Sequence, residues 1–440
     1  MTDHNPFHLR LGRRRVVQAG AALAALAAFG GRASRAQSAG GKVIIGAFAD
    51  GGLTPFKEKI IPLAKSEAGF DVSFLEDEYG VTLEKWFADA QSGAGQYDIY
   101  LLDDPWVPQF GAADVLEDLG AGGIDAADSD WIGSMIDMGW WPPREGPRVK
   151  GFEDTDPKLI AVPFVGDLQT LTYRNDVYTD GAPATWDELI AKGKDGVAAG
   201  AIKYPIVFRG VSGNPIVTSW YPIFLSFGGQ FFDDKWNATF NSDAGKAAAD
   251  YFVGTLKDNA PPGVVEFDSD QEGASILGGE AGAIIQYSGN ALKADDPTQS
   301  KVVGKLDFGV VPKQEKAIAQ LGIFIASVPK SAPNKDNAIA FLEWYSSPAT
   351  QAKLAEAGSI PVKRSAFGVP DPGNRLIPVA LQQLDAGVLP RPRTPDWAKI
   401  EELLGIELNK ALQAGSGGGA ALDAAAEQVK EYLTQAGYYE

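Results

Sequence analysis

Apolar positions along this chain fall into two alternating patterns: short continuous runs, and longer stretches in which they recur every third or fourth residue. That alternation is how an α/β protein reads. Lys42 to Phe48 is an apolar run bounded by Gly41 and by Asp50-Gly51-Gly52, which predicts a buried strand. Pro55 opens a helix with apolar positions at Phe56, Ile60, Leu63 and Ala64, and Gly69 closes it. Asp71 to Leu75 reads as a second strand, Leu83 to Ala90 as a helix and Tyr97 to Leu102 as a third strand. Parallel strands need such crossovers, and open α/β sheets take ligands beyond the carboxyl ends of their strands. Those ends carry Phe48-Ala49-Asp50, Glu76-Asp77-Glu78-Tyr79 and Asp103-Asp104-Pro105-Trp106.

Further along, Ile160 to Val165 is a strand that leads through Gly166-Asp167 into Leu168 to Tyr173, and the chain is expected to change domain there. Thr185 with Glu188 three residues on reads as a helix N-cap. Helical spacing recurs over Ser219–Phe227, Asp243–Asn259, Lys335–Tyr345, Trp397–Leu412 and Ala420–Ala436, with Ser416-Gly417-Gly418-Gly419 as a joint between the last two. No repeat of fixed period is present.

The amino terminus narrows the class. Arg13-Arg14-Arg15 precedes an apolar run from Val16 to Phe29, and Ser34-Arg35-Ala36 follows as a cleavage site. This is the order of an export signal, and the arginines resemble those of a twin-arginine signal. The run is too short for the roughly 20 apolar residues of a membrane span. Residues 1–36 are therefore expected to be removed, leaving a free periplasmic protein. Both histidines, His4 and His8, lie in that segment, and the chain has no cysteine. A Ser-His-Asp triad, a thiolate metal site and a histidine-based iron site are excluded, and no metal or cofactor is expected. Beyond residue 36 the chain carries 33 basic and 56 acidic residues, which argues against nucleic acid or an anionic membrane as partner. About 400 residues exceed one ordinary hydrophobic core, so two domains are expected.

An ordered series of motifs then carries a family resemblance. It runs through Tyr97-Asp98-Ile99-Tyr100 with Asp103 and Trp106, Ala161-Val162-Pro163-Phe164, Leu171 to Val177, and Thr185-Trp186 with Leu189. It continues through Gly228-Gly229-Gln230 with Asp233, Gly279-Glu280-Ala281-Gly282 with Gly289, Ala338 to Trp344, Gly358 to Val362, Arg391-Pro392 with Trp397, and Ala420 to Ala424. The series resembles the periplasmic solute-binding proteins of ABC importers, in the branch typified by maltose-binding protein. The resemblance implies an α/β fold of the type II periplasmic-binding class, with two lobes joined by crossing hinge segments and a ligand cleft between. It implies a lobe 1 of residues 41–164 plus 322–366 and a lobe 2 of residues 165–321 plus 367–440. It also implies a monomer without catalysis that binds a sugar, small oligosaccharide or polyol and delivers it to ABC transporter permease subunits. A polyamine or other cationic solute is the alternative, since acidic side chains and tryptophans would suit it too.

Candidate ligand residues follow from position. Asp50, Glu76, Asp103, Asp104 and Trp106 sit beyond the strand ends, with helix capping before Pro105 as the competing role for the two aspartates. Trp141 lies in an irregular stretch, Asp167 at the expected crossing, and Trp220 and Tyr221 in a helix where core packing competes with ligand stacking. Where the family places a tryptophan, this chain reads Tyr287-Ser288-Gly289-Asn290, so Tyr287, Gly289 and Asn290 are candidates and an amide replaces an indole. Arg364 follows a segment expected to pass the cleft. Replacing Trp220 or Asp103 by alanine is then expected to weaken binding. Adjacent acidic pairs face opposite ways in extended chain and do not suit a glycosidase. Asp268 to Glu272 lacks the rest of a calcium loop.

Overall fold

The computed structural model describes residues 40–368 and 375–439; the export signal read in residues 1–36 lies outside the described residues. In chain order the strands that frame the molecule are β1 (Lys42–Phe48), β2 (Asp71–Asp77), β3 (Ile99–Asp103), β4 (Val162–Val165), β5 (Thr170–Arg174), β6 (Ala283–Gln286), β7 (Leu306–Gly309), β8 (Ala319–Gln320), β9 (Phe324–Ser327) and β10 (Val388–Leu389). One lobe is built on a five-stranded sheet in the order β2-β1-β3-β9-β4. β1 runs parallel to both β2 and β3, as the two crossover helices require, and β9 runs antiparallel to β3 and β4. The second lobe is built on the antiparallel sheet β6-β5-β7. The fold is thus two α/β lobes.

Local chemistry accounts for most element boundaries. Gly69 ends the Ile61–Ala68 helix in the left-handed region at φ 74°, where a side chain would be strained. The Thr185 side chain accepts from the Glu188 backbone N–H and starts the Trp186–Ala198 helix. The helix expected from Ser219 begins earlier, at Asn214, because Pro215 sits in its first turn, where the missing N–H costs nothing. Left-handed Gly415 and Gly417 turn the Trp397–Ala414 helix into the Gly418–Gln435 helix, and the two pack along each other.

The chain passes from the first sheet to the second between β4 and β5, and back between β7 and β9. β8, on the return, pairs in parallel with β10, and Leu168 bridges Leu321 beside them. These segments form a narrow hinge. Each lobe has its own aromatic core: Phe56, Phe164 and Tyr345 interlock in the first, and Trp220, Phe224, Phe231 and Trp397 in the second.

Candidate functional site

The carboxyl ends of β1, β2 and β3 face the starts of two second-lobe helices across a cavity of about 240 Å³. Phe48, Asp50, Tyr79, Asp103 and Phe324 line it from the first lobe. Arg209, Asn214, Thr218, Asp268, Ser269 and Tyr287 line it from the second, and Asp167, Gly322, Ile323 and Arg391 from the hinge side. Three strand ends converge here because strands in parallel register finish at one edge of their sheet.

The first-lobe wall is an aromatic cluster. Phe48 stacks on Phe324 at 4.9 Å and meets Tyr79 edge-on at 5.1 Å, with Trp106 packed behind at 5.6 Å from Phe48. The Tyr79 hydroxyl donates to Asp103 Oδ2 at 2.8 Å. Arg391, buried just past β10, donates from Nη1 to the same oxygen at 3.0 Å and from Nη2 to Asp103 Oδ1 and Asp104 Oδ1. Burial works against the charge on Arg391, but the two carboxylates hold it protonated. Burial pushes the Asp104 carboxyl upward against the pull of Arg391, and its Oδ2 has no hydrogen-bond partner among the described residues.

The second-lobe wall is polar. Asn214 opens the Asn214–Ser226 helix and donates through Nδ2 to the buried Glu401 carboxylate at 3.1 Å. The Arg209 guanidinium donates to Thr218 Oγ1 and lies 3.6 Å from Asp268. Asp268 caps the Ser269–Leu277 helix in a reciprocal arrangement with Gln271. Beneath this wall Glu272 is buried. Its Oε2 accepts from Gln286 Nε2 at 2.6 Å, its Oε1 has no partner among the described residues, and burial pushes its carboxyl up to about 8.

At the hinge, Asp167 accepts the Ser288 N–H at 2.9 Å and is 5% exposed. Burial, with the charge of Asp50 added, raises its carboxyl well above the ordinary range. Asp50 opens to the cleft and accepts the Gly52 N–H at 2.7 Å; crowding by protein raises its carboxyl too. Tyr287 lies against Gly322, where even one added carbon would clash, and its hydroxyl donates to Gln320 Oε1 at 2.7 Å.

Of the residues singled out in the sequence, Asp50, Asp103, Asp167 and Tyr287 line the cavity. The others lie elsewhere. Glu76 is an exposed partner of Lys57 at 2.9 Å, near the end of the edge strand β2. Asp104 and Trp106 are buried behind the wall. Trp141 packs on Phe152 in the first-lobe core, and Gly111 abuts its ring. Trp220 is fully buried against Phe224, and Tyr221 spends its hydroxyl on the Pro390 carbonyl, so the helical aromatics took the core role. Gly289 meets Gly51 and Gly52 outside the lining, Asn290 borders a separate cavity with Ser269 and Lys293, and Arg364 is exposed beside Asp130. Phe48 and Tyr79 also line the cavity and flank the strand ends, and Arg391 belongs to the Arg391-Pro392 motif, so a local signal for all three is present in the sequence. Nothing local marked Arg209, Asn214, Thr218 or Phe324.

Comparison with known proteins supplies the remaining finding. The pattern of bacterial extracellular solute-binding proteins matches residues 50–352. A probable amino-acid ABC transporter periplasmic-binding protein of Sinorhizobium fredii is 25% identical over 360 residues, which is 78% of each chain. The mannitol-binding protein of Pseudomonas aeruginosa is 26% identical over 293 residues, 63% of each chain. Among solved structures, maltose-bound MalE3 of T. maritima superposes with a TM-score of 0.76 at 20% identity, covering 89% of this chain and 100% of its own.

Proposed function

Because this chain belongs to the family of bacterial extracellular solute-binding proteins, we propose that it captures a sugar, small oligosaccharide or polyol between its lobes and delivers it, as a monomer, to an ABC transporter permease. The protein reaches the periplasm through the twin-arginine-type signal of residues 1–36. Its lobes are residues 41–164 plus 322–366 and residues 165–321 plus 367–440. No chemical step is part of this role. The solute carried by the mannitol-binding and maltose-bound relatives supports the ligand class.

The observation that carries the reading is the asymmetry of the cleft. Phe48, Tyr79 and Phe324 line one side with aromatic rings, while Arg209, Asn214, Thr218 and Asp268 bring donors and acceptors to the other. A carbohydrate needs both, an apolar face for its C–H groups and hydrogen bonds for its hydroxyls. A polyamine would instead need unpaired carboxylates. Two of the four aspartates in the lining already face a guanidinium, Asp103 that of Arg391 and Asp268 that of Arg209. The alternative cationic ligand would therefore rest on Asp50 and Asp167 alone.

Thermal unfolding of the protein lacking residues 1–36, against pentitols, hexitols, hexoses, maltose, amino acids and polyamines, tests this. A ligand at 1,000 times its Kd stabilises by about 4 kcal/mol, enough to raise Tm by several degrees. A shift with a sugar or polyol is expected. A shift confined to polyamines or amino acids overturns the proposal.

A further inference from the structure

We propose that the seam between Gly51-Gly52 of the first lobe and Ser288-Gly289 of the second closes one end of the cleft and limits the ligand to a single sugar- or polyol-sized unit. This inference rests on the receptor reading and narrows its ligand. The two turns touch backbone to backbone. A Cβ on Gly51 would stand 3.6 Å from Gly289 Cα, and one on Gly289 would stand 3.7 Å from the Gly52 nitrogen. At Gly52 the gap is filled by side chains, with Ser288 Oγ 3.3 Å and Asp50 Oδ1 3.1 Å from where a Cβ would stand, so a sugar unit has no passage between the turns.

The seam borders the cavity itself. Asp50 and Asp167 both line the cavity. Asp50 Oδ1 is 3.9 Å from a Cβ on Gly289, and Asp167 Oδ2 is 3.6 Å from one on Gly52. Each edge is also held from behind. The Gly52 N–H donates to Asp50 at 2.7 Å, Ser359 Oγ donates to the Gly52 carbonyl at 3.3 Å, and the Ser288 N–H donates to Asp167 at 2.9 Å. Such anchoring fixes the shape of each edge where the two meet. The volume agrees, since about 240 Å³ falls below the roughly 300–1,000 Å³ of pockets that bury drug-sized ligands.

Two measurements test the seam. In calorimetric titrations with mannitol, glucose and maltotriose, a single unit is expected to bind at least tenfold tighter than the trisaccharide. Maltotriose within tenfold of the best single unit overturns the size limit while leaving the receptor reading intact. Silence to all single sugars and polyols as well as to maltotriose overturns the receptor reading, and the size limit with it. The second measurement uses the chain's lack of cysteine. In the Gly51→Cys/Gly289→Cys variant each added Cβ stands within 4 Å of the other residue's Cα, close enough to attempt a disulfide. Oxidation with the best single unit bound is expected to slow its release at least a hundredfold, and reduction to restore it. Failure to cross-link, or unchanged release after cross-linking, removes the seam as the closing contact.

Discussion

The first-lobe wall of the cleft is aromatic and braced from behind by a buried ion pair, whereas the second-lobe wall is polar and built from helix starts. Phe48, Tyr79 and Phe324 hold one another through ring contacts, and Arg391 ties Asp103 and Asp104 to the hinge. Across the cavity, Asn214 and Asp268 stand at the first turns of two helices, with Arg209 between Thr218 and Asp268. The difference follows from the elements. Strand ends bring neighbouring side chains into one packed row, while helix starts present polar caps because their first N–H groups lack partners. An apolar wall opposite a polar one suits a ligand with both C–H faces and hydroxyls.

Breaking the brace of the first wall should have the largest effect. Arg391→Leu leaves two buried carboxylates without their cation and is expected to cost about 3–5 kcal/mol in denaturant unfolding. A loss below about 1 kcal/mol would mean the wall stands without it.

The second wall is sharpened by pH. Glu272 is raised by burial to about 8, so the folded state holds its proton where the unfolded chain has released it. Its contribution is therefore fully present below the ordinary carboxylate pKa and is lost as pH rises towards about 8. Glu272→Gln should flatten that decline and be more stable than the parent at pH 8, by an amount of the order of 1–3 kcal/mol. Parallel stability curves for the two proteins between pH 5 and pH 8.5 would contradict the assignment.

The smallest effect is expected where sequence position alone had suggested a ligand residue. Glu76→Ala removes an exposed partner of Lys57 and should leave ligand affinity within twofold. Tenfold weakening in a calorimetric titration would bring β2's outer edge back into the site.

The fold was largely legible. The βαβαβ order of residues 42–103, the crossing near Gly166-Asp167, the Thr185 cap and the paired carboxyl-terminal helices are all written in local patterns, and each stands in the structure within a few residues of its expected place. The site was legible only in part. Asp50, Asp103 and Asp167 line the cavity because they stand at strand ends and crossings, positions that sequence marks. The tryptophans are buried away from the cavity lining, and an indole in an irregular stretch or on a helix gives the same sequence signal whether it turns inward or out. Trp141 and Trp220 both turned into cores.

What the sequence determined by itself is therefore what short-range physics controls: where strands and helices begin and stop, which edge of the first sheet is polar, and the absence of imidazole and thiol beyond residue 36. Only the tertiary structure decided which side chains share the cleft. Arg391 reaches Asp103 across 288 positions of chain, and Gly289 meets Gly51 from the other lobe. No local periodicity encodes such meetings, because they depend on how two separately packed cores are brought face to face by the hinge between them.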